Sequence, residues 1–258
     1  MQGRAMATIV ALTLLGGLGA GLARGEQTQR GDLIVSLDGG LSPLALPRER
    51  LAPVAVHLEG GLRAAAGKAL PRVTRIELGL PAQGVLSTRG LPTCPQRRLR
   101  NAKPPEALAA CRAALVGHGQ LEAEVKLPNQ EPFTIRTSLL AFNGRAGGRT
   151  AVILHAYAAN PPTVAVLPVL LRRGSGRFGL ALVADLPRAL GPWPRLAGFE
   201  LTLSRRYFYR GRSRSYLSAS CPIPRRFSAG FFSFARVDLT LAGGKRIGTG
   251  IARSCRAR

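Results

Sequence analysis

Short runs rich in apolar and β-branched side chains recur through most of this chain, cut by polar and turn-forming positions. The runs 54–58, 73–80, 120–127, 133–142, 150–158, 163–172, 177–185, 198–209, 214–219, 231–241 and 245–254 each read as a β-strand. Gly, Pro or Asn separates them at the spacing of an all-β sandwich or barrel. A shorter strand is predicted at 32–38, followed by a Pro-containing linker at 39–49. Helical periodicity occurs over 104–115, where Pro104, Pro105 and Glu106 suit an N-terminus and alanines fill the turns. The pattern therefore predicts an all-β chain, an antiparallel β-sandwich or barrel-like domain with one short helix. It occupies 51–258 as a single β-rich domain, behind an N-terminal segment and linker at 26–50. A shift in acid balance at 128–132 marks the place where a boundary would fall if there were two domains. Three turns stand out: Asn143-Gly144, a pair suited to the positive backbone angles of a type I′ turn, Gly211 as a hairpin tip, and Ala242-Gly243-Gly244-Lys245.

The first residues follow a different pattern. Arg4 precedes an apolar run from Ala5 to Leu22, and small residues follow at Ala20, Gly21 and Ala23. That order is a signal peptide over 1–25, with cleavage after Ala23 or Gly25. Glycines thin the run and no basic stop-transfer cluster follows it, which favours release over a membrane anchor. With no other apolar stretch of 18 residues, a mature chain without a transmembrane span is expected, secreted or held in the cell envelope. Export suits the four cysteines, an even number that pairs most economically as disulfides in an oxidising compartment. Three connectivities are open to them. Spacing favours Cys94 with Cys111 around the helix and Cys221 with Cys255 in the last β-rich stretch. A zinc site is disfavoured because no CxxC pair is present.

Composition narrows the class without naming an activity. The chain has 258 residues, 46% of them hydrophobic, which suits a folded protein and excludes a disordered tail. Its 37 basic residues against 13 acidic ones give a net charge of +24. Only four of the basic residues are lysine (Lys68, Lys103, Lys126 and Lys245), an arginine bias that a GC-rich genome by itself produces. Beyond residue 131 the acids number three, Asp185, Glu200 and Asp238, so the positive charge concentrates in the C-terminal half. Its densest run joins Arg205, Arg206, Arg210, Arg212 and Arg214 to Tyr207, Phe208, Tyr209 and Tyr216. Arginines interleaved with aromatics suit contact with a polyanion, and the same pattern suits a solvated hairpin. In the second reading Phe199, Leu201, Leu203, Tyr207 and Tyr209 share a core-facing parity that Arg205 breaks. Export argues against nucleic acid as the physiological partner and points to anionic envelope polymers or lipid headgroups.

Catalytic chemistry finds little support. His57, His118 and His155 lie outside metal-ligand spacing of one another and of any cysteine, so neither metal nor cofactor is expected. His155 shares a strand face with Tyr157 and reads first as a buried, hydrogen-bonded histidine, second as an acid or base. His118, between Gly117 and Gly119, marks a bulge or bend. Ser175 lies in the wrong frame for a nucleophile elbow, and the scattered acids give no carboxylate pair for glycoside hydrolysis. Trp193, between Pro192 and Pro194, reads as a lid over the core or a stacking platform.

Several segments together carry a resemblance: Ala52-Pro53-Val54-Ala55-Val56, Gly90-Leu91-Pro92-Thr93-Cys94, Cys111 with Val116-Gly117, Leu139-Leu140-Ala141-Phe142-Asn143-Gly144, and His155-Ala156-Tyr157 with Asn160-Pro161. Ser215-Tyr216-Leu217-Ser218-Ala219 running into Cys221-Pro222, Phe232-Ser233-Phe234-Ala235, and Arg253-Ser254-Cys255 extend it over about 46–257. In these the chain resembles a family of uncharacterised secreted bacterial proteins from high-GC genomes. The resemblance implies a signal peptide, two disulfides and a β-rich domain, and it implies no activity. His118 departs from the family pattern, where Ser or Thr is usual, and His155 matches it.

The sequence thus predicts an exported, monomeric, non-enzymatic binding or structural protein of the cell envelope, contacting anionic polymers or headgroups through the face at Arg205–Arg214. The first alternative is a β-barrel-like carrier of a lipid-like apolar ligand, which a cavity lined by Leu, Val and Phe would favour. The second is an envelope hydrolase using His155, which needs a Ser or carboxylate within hydrogen-bond reach in a cleft.

Overall fold

The computed structural model describes residues 25–65, 68–160, 162–186 and 194–258. Most of the predicted signal peptide and the loop bearing Trp193 lie outside the described residues. In chain order the elements are β1 (Glu26–Arg30), β2 (Leu33–Ser42), β3 (Ala45–Leu46), β4 (Ala52–Pro53), β5 (Ala55–Ala64), β6 (Val73–Pro81), β7 (Gly84–Leu86) and α1 (Pro104–Cys111). There follow β8 (Leu115–Val125), β9 (Phe133–Ala146), β10 (Arg149–Ala159), β11 (Pro162–Arg173), β12 (Phe178–Asp185) and β13 (Pro194–Leu203). The last five are β14 (Arg206–Tyr209), β15 (Arg212–Ser215), β16 (Leu217–Ala219), β17 (Ala229–Leu241) and β18 (Arg246–Ala257).

Thirteen strands form one sheet in the order β1-β2-β5-β13-β8-β9-β10-β11-β12-β6-β17-β18-β3. Every pair is antiparallel except β18 with β3. The chain is all-β with one short helix, and its large sheet curls into a half-barrel. Alternation supplies the curl's inner surface, since one parity of each strand faces the concave side. The two edges of the sheet approach each other, because β18 runs beside β1 and β2. Side chains rather than a ladder bridge that seam: Arg253 pairs with Asp38 and donates through Nε to Gly39 O at 2.6 Å, and Arg30 donates to Arg246 O at 2.9 Å. On this flank Val35, Leu37, Val237, Ile247 and Ile251 pack solid.

One end of the half-barrel, where β5 begins and β6 and β13 finish, is closed by the small sheet β4-β16-β7. Ala52, Val54, Tyr216, Leu217 and Ala219 join the main core there. The Cys221–Cys255 disulfide ties the following loop to β18. The second disulfide, Cys94–Cys111, closes a segment that lies on the convex face. Its Leu99, Ala102, Ala107 and Ala114 cover Leu140, Phe142, Ala151 and Ile153, forming a second, smaller core outside the sheet. Both cysteine pairings are those predicted from spacing.

Differences from the sequence reading have local causes. The linker predicted at 39–49 begins instead as strand, because β2 continues through Ser42 beside β5. The helix stops at Cys111, four residues early, where Arg112–Ala114 tightens into a 3-10 turn and releases Leu115 into β8. Asn143-Gly144 is not a turn. It lies inside β9, and the hairpin to β10 turns at Gly147 and Gly148, both at positive φ, four residues further on. Asn143 is used as a latch: its side-chain amide donates to Pro92 O at 2.8 Å and Leu91 O at 3.3 Å, while its backbone carbonyl accepts from Cys94 N–H at 2.8 Å. Gly144 is required by the same contact, since a Cβ there would strike Ile153 and stand 3.1 Å from Cys94 O.

Candidate functional site

The concave face is solid on the β2 and β18 flank and hollow beneath β6 and β8–β13. Inward positions in register line the hollow: Val152, Leu154, Ala156 and Ala158 of β10 stand directly opposite Val169, Leu167, Ala165 and Thr163 of β11. Leu121, Ala123 and Val125 of β8, Ile135 and Leu139 of β9, and Leu182 and Ala184 of β12 continue the lining. Leu196, Phe199 and Leu201 of β13 and Ile76 and Leu78 of β6 complete it. The cavity holds about 370 Å³, within the range of small-molecule sites.

Two features of sequence make it hollow. Alanines sit at inward positions of β8, β10, β11 and β12, where Leu or Phe would fill the space. The lining comes from one curled sheet, with β6 and β13 flanking β8–β12. Leu121, Ile135, Leu154, Leu167 and Phe199 consequently stay half-exposed although they face inward. The hollow opens at the end opposite the small sheet, where β8, β10 and β12 finish and β6, β9, β11 and β13 begin. Arg72, Leu127, Leu186, Pro194 and Arg195 stand at that rim, and Arg195 donates to Pro194 O at 3.2 Å.

The basic run lies at the other end of the molecule. Its parity break at Arg205 is a break in the strand itself: β13 stops at Leu203, and β14 and β15 form a separate two-stranded hairpin. The turn falls at Arg210 and Gly211, both at positive φ. Tyr207 and Tyr209 are half-buried and hold the hairpin down. The Tyr207 hydroxyl donates to Arg89 O at 2.9 Å, and the Tyr209 ring lies on Gly90, where no Cβ fits. Arg206, Arg210, Arg212 and Arg214 are exposed, the Arg210 guanidinium rests over the Tyr209 ring, and Phe208 stands 82% exposed among them. Arg205 differs from its neighbours. It is half-buried, and its Nε has no hydrogen-bond partner among the described residues.

The histidines do not meet. His155 is fully buried beneath the disulfide-closed segment on the convex face, away from the hollow, and its Nε2–H donates to Ala102 O at 2.8 Å. Among the described residues no Ser or carboxylate is hydrogen-bonded to it. His57 Nδ1 bonds Thr202 Oγ1 at 3.1 Å, and His118 is exposed beside a bulge between β8 and β9. Among the described residues no group of three or more His, Cys, Asp or Glu side chains is placed to hold a metal ion. No helix among them is long and apolar enough to cross a membrane. Compared with known protein families, curated proteins and solved structures, the chain matches none.

Proposed function

We propose that this chain is an exported, non-enzymatic binding protein of the cell envelope that carries one lipid-like apolar ligand in the hollow of its half-barrel. The observation behind this reading is the unfilled concave face, where an apolar surface with partly exposed Leu, Ile and Phe side chains surrounds an open cavity. Such surface costs stability in water, at roughly 25 cal/mol per Å², and an apolar ligand would recover that cost. Two disulfides and the leader-like N-terminus support export.

Binding of the neutral fluorescent probe N-phenyl-1-naphthylamine to the purified protein tests the proposal. Micromolar, salt-insensitive binding is expected. Ala165→Trp, which places an indole in the hollow opposite Ala156, should weaken it at least tenfold while the thermal unfolding midpoint stays within a few degrees. No binding by the parent, or equal binding by the variant, rejects the carrier.

A second reading rests on the exposed hairpin. Four arginines around an exposed Phe208 suit contact with an anionic polymer or headgroup layer. This contact is independent of ligand entry, since the hairpin lies at the end of the strands opposite the mouth of the hollow.

A further inference from the structure

The rim of the hollow differs in kind from its walls, and the difference bears on what the ligand's exposed end is. Arg72 sits just ahead of β6, half-buried, with its side chain lining an otherwise apolar cavity. Its carbonyl accepts from Ala242 N–H at 2.8 Å, which fixes the backbone. Its guanidinium has no hydrogen-bond or ion-pair partner among the described residues. Of the carboxylates near this end, Asp185 is held by Arg75 at 2.7 Å, and Glu124 accepts from Leu70 N–H at 3.3 Å. A second cation, Arg195, lines the same rim. Arg72 is therefore a half-buried cation at the mouth of a cavity whose walls are apolar apart from Thr137 and Thr163. Partial burial strengthens attraction between Arg72 and an anion relative to bulk water.

We propose that the ligand is a single-chain amphiphile with an anionic headgroup, its tail in the hollow and its head on Arg72 at the rim. This rests on the carrier reading above and adds the charge of the head. A fatty carboxylate and an alkyl phosphate share the required chemistry, since both present oxygens to the planar guanidinium fork.

Displacement of N-phenyl-1-naphthylamine by dodecanoate, dodecyl phosphate, dodecanol and dodecyltrimethylammonium separates the possibilities. One or both anions should displace the probe about tenfold more tightly than dodecanol, and the cation more weakly than dodecanol. The tighter anion identifies the headgroup. Arg72→Gln should remove most of that preference while leaving dodecanol unchanged, and Arg72→Lys should retain part of it. If dodecanol binds as tightly as both anions and Arg72→Gln changes nothing, the anionic head is wrong and the carrier stands. If the probe binds nowhere, both fall together.

Discussion

Tyr216 is the largest side chain sealed in the core, and its hydroxyl has no hydrogen-bond partner among the described residues. Burial pushes its phenol well above the ordinary value near 10, because the charged form has no water to solvate it. Below pH 10 the phenol is neutral in both folded and unfolded chains and contributes no pH dependence. Above pH 10 the unfolded chain releases a proton that the folded chain keeps, so stability falls as pH rises, by up to about 1.4 kcal/mol per pH unit from this group. Tyr216→Phe removes the orphan hydroxyl and keeps the ring. It should be neutral or stabilising by about 1 kcal/mol at pH 8 and should flatten the loss between pH 10 and 11, both read from urea unfolding. A marked destabilisation at pH 8 would mean that the hydroxyl has a partner after all.

Among the elements, the segment 91–115 is the piece most dependent on specific bonds. Gly144, His155 and Cys94–Cys111 pin it to the convex face, and the Asn143 amide holds its start through Leu91 O and Pro92 O. Replacing Cys94 and Cys111 together by Ser should cost about 3 kcal/mol, the loop-closure value for a separation of 17. Because this cover lies outside the hollow, N-phenyl-1-naphthylamine binding should survive the change. Its loss would place the cover in control of the cavity's shape. The strands themselves were legible in the sequence because apolar, β-branched runs end at Gly, Pro or Asn, where the backbone leaves the ladder. What misled was local chemistry shared by different structures. Asn143-Gly144 has turn residues, yet the Gly147-Gly148 pair four residues later takes the turn and frees the asparagine amide to latch Pro92. Arg205 violated the strand parity, and the violation was the true signal that β13 ends and a separate hairpin begins.

At the scale of the whole molecule, the hollow was not legible, because alternation fixes direction and says nothing about whether facing surfaces meet. Inward alanines such as Ala156 and Ala165 look the same in a packed core as in a cavity wall; only the curl of the sheet makes them a wall. That curl also sets the basic hairpin apart from the rim at Arg72. The hairpin follows the end of β13, while the rim lies where β13 begins, roughly 30 Å away along strands of ten or so residues. A molecule held on an anionic surface by its hairpin would therefore turn the mouth of the hollow away from that surface, and attachment and loading would be separable. Arg206→Ser, Arg210→Ser and Arg212→Ser in one variant should weaken binding to vesicles containing one-third anionic lipid about a hundredfold, at about 1 kcal/mol per arginine, and should erase its salt dependence. The same variant should bind N-phenyl-1-naphthylamine as the parent does. Vesicle binding that survives the three substitutions, or that ignores salt in the parent, would leave the net charge of +24 as composition and the hollow as the molecule's working surface.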